Sequence, residues 1–299
     1  MASLSSLLRI SVDLLLVAAA CNAAPQQYWL AARFDGRQAM IYFDTVHFGD
    51  TWPSDAERLY PSDGFSIPSL LTPAYVKRIQ DRPGAVHFAI GEKYDLLMDG
   101  NFIQSATVTK LIGWMGDEGV GNDSYIGAIV SLDNPDNVSL EPWLLARRHV
   151  DDAKPTGPAR LLRDPVTFDV ESNILGLLKP QQAGPMLTVQ PFKLADGSIR
   201  YFARCGWNGD TMNREPSVTI TAWLNPDPML RVVATETVKG SYGFLSTGPR
   251  LLNVLDLGDG RTGMIMESQG DDSDEIDLLV YKDGPIGNMH VIQTLAQGE

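Results

Sequence analysis

Cysteine is almost missing from this chain: 299 residues hold two, Cys21 and Cys205. Cys21 falls in an N-terminal run that export would cleave or lipidate, so Cys205 is the one thiol expected downstream. That excludes an intrachain disulfide and leaves the fold to an ordinary apolar core. Histidine is scarce as well. His47, His87, His149 and His290 show neither a His-x-His pair nor zinc-protease spacing, which removes the usual ligand set of a metal hydrolase. The sequence has no Gly-x-Ser-x-Gly elbow and no glycine loop followed by Lys-Ser or Lys-Thr, so a hydrolase nucleophile and a phosphate cradle are both unsigned. Positive charge is in deficit, 24 Lys and Arg against 37 Asp and Glu, for a net −13. Basic residues cluster no further than adjacent pairs such as Arg147-Arg148. That speaks against nucleic acid, whose binding needs clustered cations to displace counterions. No apolar run after the N-terminus is long enough to span a bilayer.

What is present begins with residues 1–24. A start carrying Arg9, a mostly apolar centre over Ile10–Ala20 and a close of small residues form the layout of a secretory signal peptide. Two cleavage readings stand. Ala18-Ala19-Ala20-Cys21 resembles a bacterial lipobox, with cleavage before Cys21 and a lipid anchor on its sulfur; cleavage after Ala23 instead discards the cysteine. The expected location is the periplasm or cell surface, with membrane contact only through such a lipid, which adds about 0.8 kcal/mol per buried methylene. Removing residues 1–24 from 299 leaves about 275 for one large all-β domain or two smaller ones, residues 25–299, with an internal boundary near 151–165.

Period-two patterning dominates, with Gly, Pro, Asn and Asp between short apolar stretches. Strands are expected over Gln38–Phe48, Ala85–Ile90, Ser105–Ile112, Tyr125–Leu132, Ile199–Cys205, Val218–Leu224, Leu230–Glu236, Gly263–Glu267 and Ile276–Tyr281. Thr72-Pro73 reads as an N-cap and first helical position for Ala74–Gln80. Pro142–Arg148 reads as a short helix, and Ser172–Leu178 stays open between helix and strand. The fold class is all-β, of antiparallel sheets in a propeller-like arrangement, with a β-sandwich as the alternative.

A weak internal unit recurs. Asp35-Gly36, Asp99-Gly100, Asp196-Gly197 and Asp259-Gly260 each precede a strand, and each strand leads to a Gly-Asp step: Gly49-Asp50, Gly116-Asp117, Gly209-Asp210 and Gly270-Asp271. Asp-Gly supplies the positive φ of a tight hairpin. Gly113-Trp114-Met115-Gly116-Asp117 matches Gly206-Trp207-Asn208-Gly209-Asp210, which puts two tryptophans at equivalent loop openings.

The last unit, Leu255 to Gly260, then Met264 to Glu267, an acidic loop and Leu278 to Gly284, resembles the FG-GAP/VCBS-type repeat of exported β-propellers. The resemblance spans some thirty residues. It implies a binding or scaffold protein whose Asp-rich turns often hold calcium. Gly258 stands where that family's turn carries a second acidic ligand, so calcium is expected in the acidic loop rather than at Asp256 and Asp259.

That loop, Asp271, Asp272, Asp274 and Glu275, is the densest set of hard oxygen ligands and the candidate calcium site. Asp117-Glu118 with Asn122-Asp123 is a weaker one. Asp169 and Glu171, read on one strand face, offer the paired carboxylates that glycoside hydrolysis requires. Trp114 and Trp207 are the candidate ligand-binding aromatics, suited to stacking on a sugar or gripping a peptide side chain. Cys205 shares a strand face with Ile199, Tyr201 and Ala203, opposite Arg200 and Arg204, and is expected to be a packing residue. The sequence thus points to a non-enzymatic envelope module binding an unidentified protein or glycan, with a structural calcium. The alternative is an envelope hydrolase with loop-borne carboxylates acting on glycans. A deep cleft holding two carboxylates, one of them poorly solvated, would separate the second from the first.

Overall fold

The computed structural model describes residues 26–33, 37–47, 57–58, 69–81, 85–115, 123–137, 144–150, 157–179, 185–208, 216–242, 248–269, 274–284 and 286–298. The signal segment 1–24, with Cys21, lies outside them. The fold is all-β and antiparallel, as the period-two pattern predicts. Its first eight strands are β1 (Tyr28–Arg33), β2 (Gln38–His47), β3 (Glu57–Arg58), β4 (Ser69–Leu70), β5 (Lys93–Met98), β6 (Asn101–Met115), β7 (Asp123–Leu132) and β8 (Leu144–Arg148), with helix α1 (Pro73–Gln80) between β4 and β5. They run in the order β3-β4-β6-β5-β8-β1-β2-β7, and β7 pairs back onto β6. The result is a closed six-strand barrel, with β4 and β3 continuing outward from β6.

Alternation decides which side chains enter the barrel. Trp29, Ile41, Phe43, Tyr94, Leu96, Val108, Ile126 and Val130 point inward, each at most 5% exposed, beside Ala31, Ala39, Ala106, Ala128 and Ala146. A six-strand barrel is too narrow to hold large residues at every inward position, so alanines face the bulky rings. Trp29, Phe43 and Tyr94 meet at ring-centroid separations of 5.5–5.6 Å, and Phe88 stacks on Phe43 at 4.6 Å. Tyr75, Val76 and Ile79 of α1 join this core, so the helix packs against the side chains that fill the barrel.

The rest of the chain forms two sheets and a helix. A five-stranded sheet contains β9 (Arg160–Leu161), β10 (Met186–Lys193), β11 (Ile199–Trp207), β12 (Pro216–Asn225) and β13 (Arg231–Tyr242); α2 (Phe168–Leu178) lies between β9 and β10. A four-stranded meander follows: β14 (Arg250–Gly258), β15 (Arg261–Gln269), β16 (Asp274–Val280) and β17 (His290–Gly298). The meander is apolar on both faces because both are covered. Leu255, Ile265, Ile276 and Leu278 meet Tyr28, Leu30, Leu97 and Leu145 on the barrel wall. Val254, Met264, Met266 and Leu279 meet Phe192, Phe202 and Trp223 of the five-stranded sheet. Ile174 of α2 seals the far side of that sheet against Ala203, Ala222 and Leu224.

Three sequence readings need correction. Pro142–Arg148 is not a helix: Leu144–Arg148 is β8, wedged between β1 and β5. Leu, Ala and Arg are good helix formers, but the two open edges on either side impose the strand. Asp169 and Glu171 are not on a strand face; they sit in the first turn of α2, where positions two apart point to different sides and acidic groups suit the helix N-terminus. Ala85–Ile90 is extended but unladdered, with pairing resuming where Gly91 N–H donates to Val108 O and Val108 N–H to Glu92 O, each at 2.9 Å. Ser172–Leu178, which the sequence leaves open, is helical.

Of the four recurring Asp-Gly steps, the three described ones each lie at a hairpin tip, in two geometries. Asp99-Gly100 (φ 51, 78) and Asp259-Gly260 (φ 54, 73) have both residues left-handed, as two-residue hairpins require. Around Asp196-Gly197, Gly197 N–H donates to Leu194 O and Leu194 N–H to Ser198 O, a longer turn with only the glycine left-handed. Asp35-Gly36 and all four Gly-Asp steps lie outside the described residues.

The Asp99-Gly100 tip also joins the barrel to the sheets. Asp99 takes a two-pronged bond from Arg163 at 2.5 and 2.9 Å, and a Cβ on Gly100 would collide with the carbonyl oxygens of Val254 and Ala159. Gly260 shares the φ but faces open space. Gly260→Ala should therefore cost only left-handed strain, about 1–2 kcal/mol, and Gly100→Ala distinctly more. Urea denaturation of the two variants makes the comparison, and equal losses would remove the wedge. A second expectation concerns Asp277 of β16, 9% exposed, whose carboxylate accepts from Thr294 Oγ1 at 2.7 Å. Burial pushes its pKa up, and the Thr294 bond only partly opposes this. The folded state thus holds this proton more tightly than the unfolded chain, so the destabilisation is absent at low pH and appears as pH rises through the carboxylate range. Asp277→Asn, which keeps an acceptor for Thr294, should melt higher than the parent at pH 7. The gap should close on acidification; a gap that does not change with pH would refute the assignment.

Candidate ligand pocket

Helix α1 builds one wall of the site. Thr72 Oγ1 accepts from Tyr75 N–H at 3.3 Å, Pro73 pre-sets the first turn, and Tyr75, Val76 and Ile79 are buried. Lys77 and Asp81, one turn apart on the solvent side, pair at 2.6 Å. Leu71 N–H donates to Leu111 O at 3.0 Å, which ties the start of the helix to β6, and Gln80 Nε2 donates to Phe88 O at 2.6 Å, which ties its end to the segment 85–90. Arg148 bonds the His87 carbonyl and fixes the same segment from β8.

Between α1, this segment and β6 lies an open cavity of about 510 Å³. Leu70, Leu71, Val76, Phe88, Leu111 and Ile90 make it apolar, and Lys77, Lys110, His87, Gln80 and Asp81 are the ionisable and amide groups along it. Ile90 is 67% exposed, large for an isoleucine, and belongs to this lining. Lys110 owes its place to a bulge. Ala106 and Val108 point into the barrel, the register to β7 slips between Val108 and Lys110, and the inward position resumes at Leu111. Without the extra residue Lys110 would enter the core; with it, Thr109 and Lys110 both stand outside. Thr109 Oγ1 is occupied, donating to Ile129 O at 3.0 Å.

A second polar cluster sits on the barrel wall. Asp95, 2% exposed, faces Ser105 Oγ at 3.0 Å, His149 Nδ1 at 2.6 Å and an Arg147 guanidinium nitrogen at 3.4 Å. A buried carboxylate needs such partners. In a nucleophilic triad the histidine lies between hydroxyl and carboxylate. Here Ser105 and His149 both bond the carboxylate, so no proton path runs from one to the other, and the cluster is a hub that braces β5, β6 and β8. Nearby Glu92 accepts from Tyr94 Oη at 3.0 Å, and burial raises the Tyr94 phenol pKa.

The sequence candidates are scattered. Asp271 and Asp272 lie outside the described residues; Asp274 and Glu275 open β16 opposite Gln269 and Ser268. Trp114 and Trp207 each come near the end of the second strand of a hairpin; Trp207 is 8% exposed and offers a ligand little surface, and the Trp114 side chain lies outside the described residues. Cys205 is fully buried, and burial pushes its thiol pKa up, as a packing residue's should be. The pocket residues were not singled out from sequence, although one signal existed: the apolar alternation Ala106, Val108, Leu111 slips by one residue, the mark of a bulge.

Asp95→Ala should cost about 3–5 kcal/mol, because it strands the buried Arg147. His149→Ala should cost about 1 kcal/mol, since Asp95 keeps two other partners. Urea titrations measure both, and a His149→Ala loss equal to that of Asp95→Ala would contradict the hub. Comparison with protein-family models, with curated proteins and with solved structures finds no match to this chain.

Proposed function

We propose that this protein is a non-enzymatic binding module of the bacterial envelope, exported and working outside the cytoplasm, that takes a small ligand with a substantial apolar part between α1 and β6. One observation carries the reading: the apolar cavity contains a single carboxylate, Asp81, which is exposed and tied to Lys77. Among the described residues, the buried acids that general acid–base chemistry would draw on are each engaged away from it, and Glu236, whose Oε2 is buried without a partner, lies on β13. Asp95 is held by Arg147 and His149, Asp99 by Arg163, Glu267 by Arg250 at 2.9 Å and Asp277 by Thr294. An opening of this volume falls in the range of small-molecule sites, which are mostly apolar with a few polar groups that set orientation.

Titration with a neutral apolar fluorophore, N-phenyl-1-naphthylamine, tests the reading. The parent should enhance its emission with a micromolar dissociation constant. Ala89→Trp, at an exposed lining position, fills the opening without touching the core and should weaken binding at least tenfold with the melting temperature unchanged. A probe that binds both proteins equally, or neither, would end the assignment.

A further inference from the structure

We infer that the ligand of this pocket is an anionic amphiphile, a single alkyl chain ending in a carboxylate, whose head group is held by Lys110. The inference rests on the binding reading above and adds the chemistry of the ligand. The chain carries a net charge of −13, so its surface as a whole repels anions. The pocket reverses that bias. Lys77 and Lys110 lie along it against one carboxylate, and that carboxylate, Asp81, is already neutralised by Lys77 at 2.6 Å. Lys110 has no acidic partner among the described residues. The bulge at Thr109 is what sets this cation on the outer face, one position before Leu111 turns into the core. A lysine ammonium brought to the edge of an apolar cavity offers three donors and a charge to whatever enters. The ligand that satisfies both parts has an alkyl portion for Leu71, Val76, Phe88 and Leu111 and an anionic end for Lys110. A neutral apolar ligand would leave the ammonium with water alone, and a polyanion would find no second unpaired cation among the lining groups.

The test is displacement of N-phenyl-1-naphthylamine by decanoate, octanoate and decanol, each below its micellar concentration. Decanoate should bind about five- to tenfold more tightly than decanol, and about fourfold more tightly per methylene than octanoate. The preference for carboxylate should shrink as salt is raised, because the pair is solvent-exposed. In Lys110→Gln the decanoate-to-decanol ratio should fall to near one, and in Lys110→Glu below one. Lys239→Gln, an exposed lysine on β13, should keep the parent's ratio. Equal binding of decanoate and decanol by the parent, or an unchanged ratio in Lys110→Gln, overturns the head-group assignment while leaving the pocket standing. A parent that binds no probe at all overturns the pocket and this inference with it.

Discussion

Closure of a six-strand barrel is the constraint from which the other features follow. Once β7 returns to β6 the interior is fixed in width, and only a mixture of alanines with Trp29, Phe43 and Tyr94 fills it. Among the described residues, the barrel interior is taken up by side chains rather than by a cavity. A ligand of this fold would meet an end or the outside of the barrel, and α1 supplies both a cover for the core and a wall for the cavity beside β6. The same closure sends Tyr28, Leu30, Leu97 and Leu145 outward, and that apolar stripe can be buried only by another sheet. The four-stranded meander meets it and, being apolar on its second face too, requires the five-stranded sheet behind it. The layered build is a chain of such requirements, ended by the amphipathic α2.

Much of this was legible from side-chain periodicity. Fold class, the positions of β2, β6, β7, β11, β12, β15 and β16, the Thr72-Pro73 start of α1 and the buried Cys205 all follow from alternation, capping and turn chemistry, which act within a few residues. What was not legible depends on partners far along the chain. Nothing local in Leu144–Arg148 favours a strand; the gap between β1 and β5 does. The sequence also gives no sign that the six strands close, since closure is a property of β6 and β7 finding a second edge each. The pocket has the same origin. Leu71, Phe88, Ile90 and Lys110 come from a helix entry, an extended segment and a bulged strand, and no spacing rule links them.

Electrostatics in the interior shows a consistent division of labour. Among the described residues, the buried acids meet their donors across strand or layer boundaries: Asp95 from β5 to β8, Asp99 from the barrel to Arg163, Asp277 from β16 to Thr294 on β17. Each such bond fixes a register that apolar contacts alone would leave free to slide, since a shifted strand would bury a carboxylate without its donor. Polar groups with a structural task are thus spent inside, and the exposed cation of the pocket is left for another one.

The place of β8 carries a consequence for the order in which this chain can reach its fold. It is the last barrel strand in sequence, yet it lies between β5 and the first strand, pairing Tyr28 with Arg147 and Tyr94 with Arg148. Until residue 148 leaves the ribosome, β1 and β5 are two bare edges of an open, curled sheet, each displaying unpaired backbone groups to any other strand that passes. Insertion of five residues removes both edges at once. Because that step joins segments more than a hundred positions apart, it bears the loop-closure cost of the whole barrel. The two later sheets are built from neighbouring hairpins and need no such wait, but the surface on which the meander settles, with Leu145 in it, does not exist before β8 arrives.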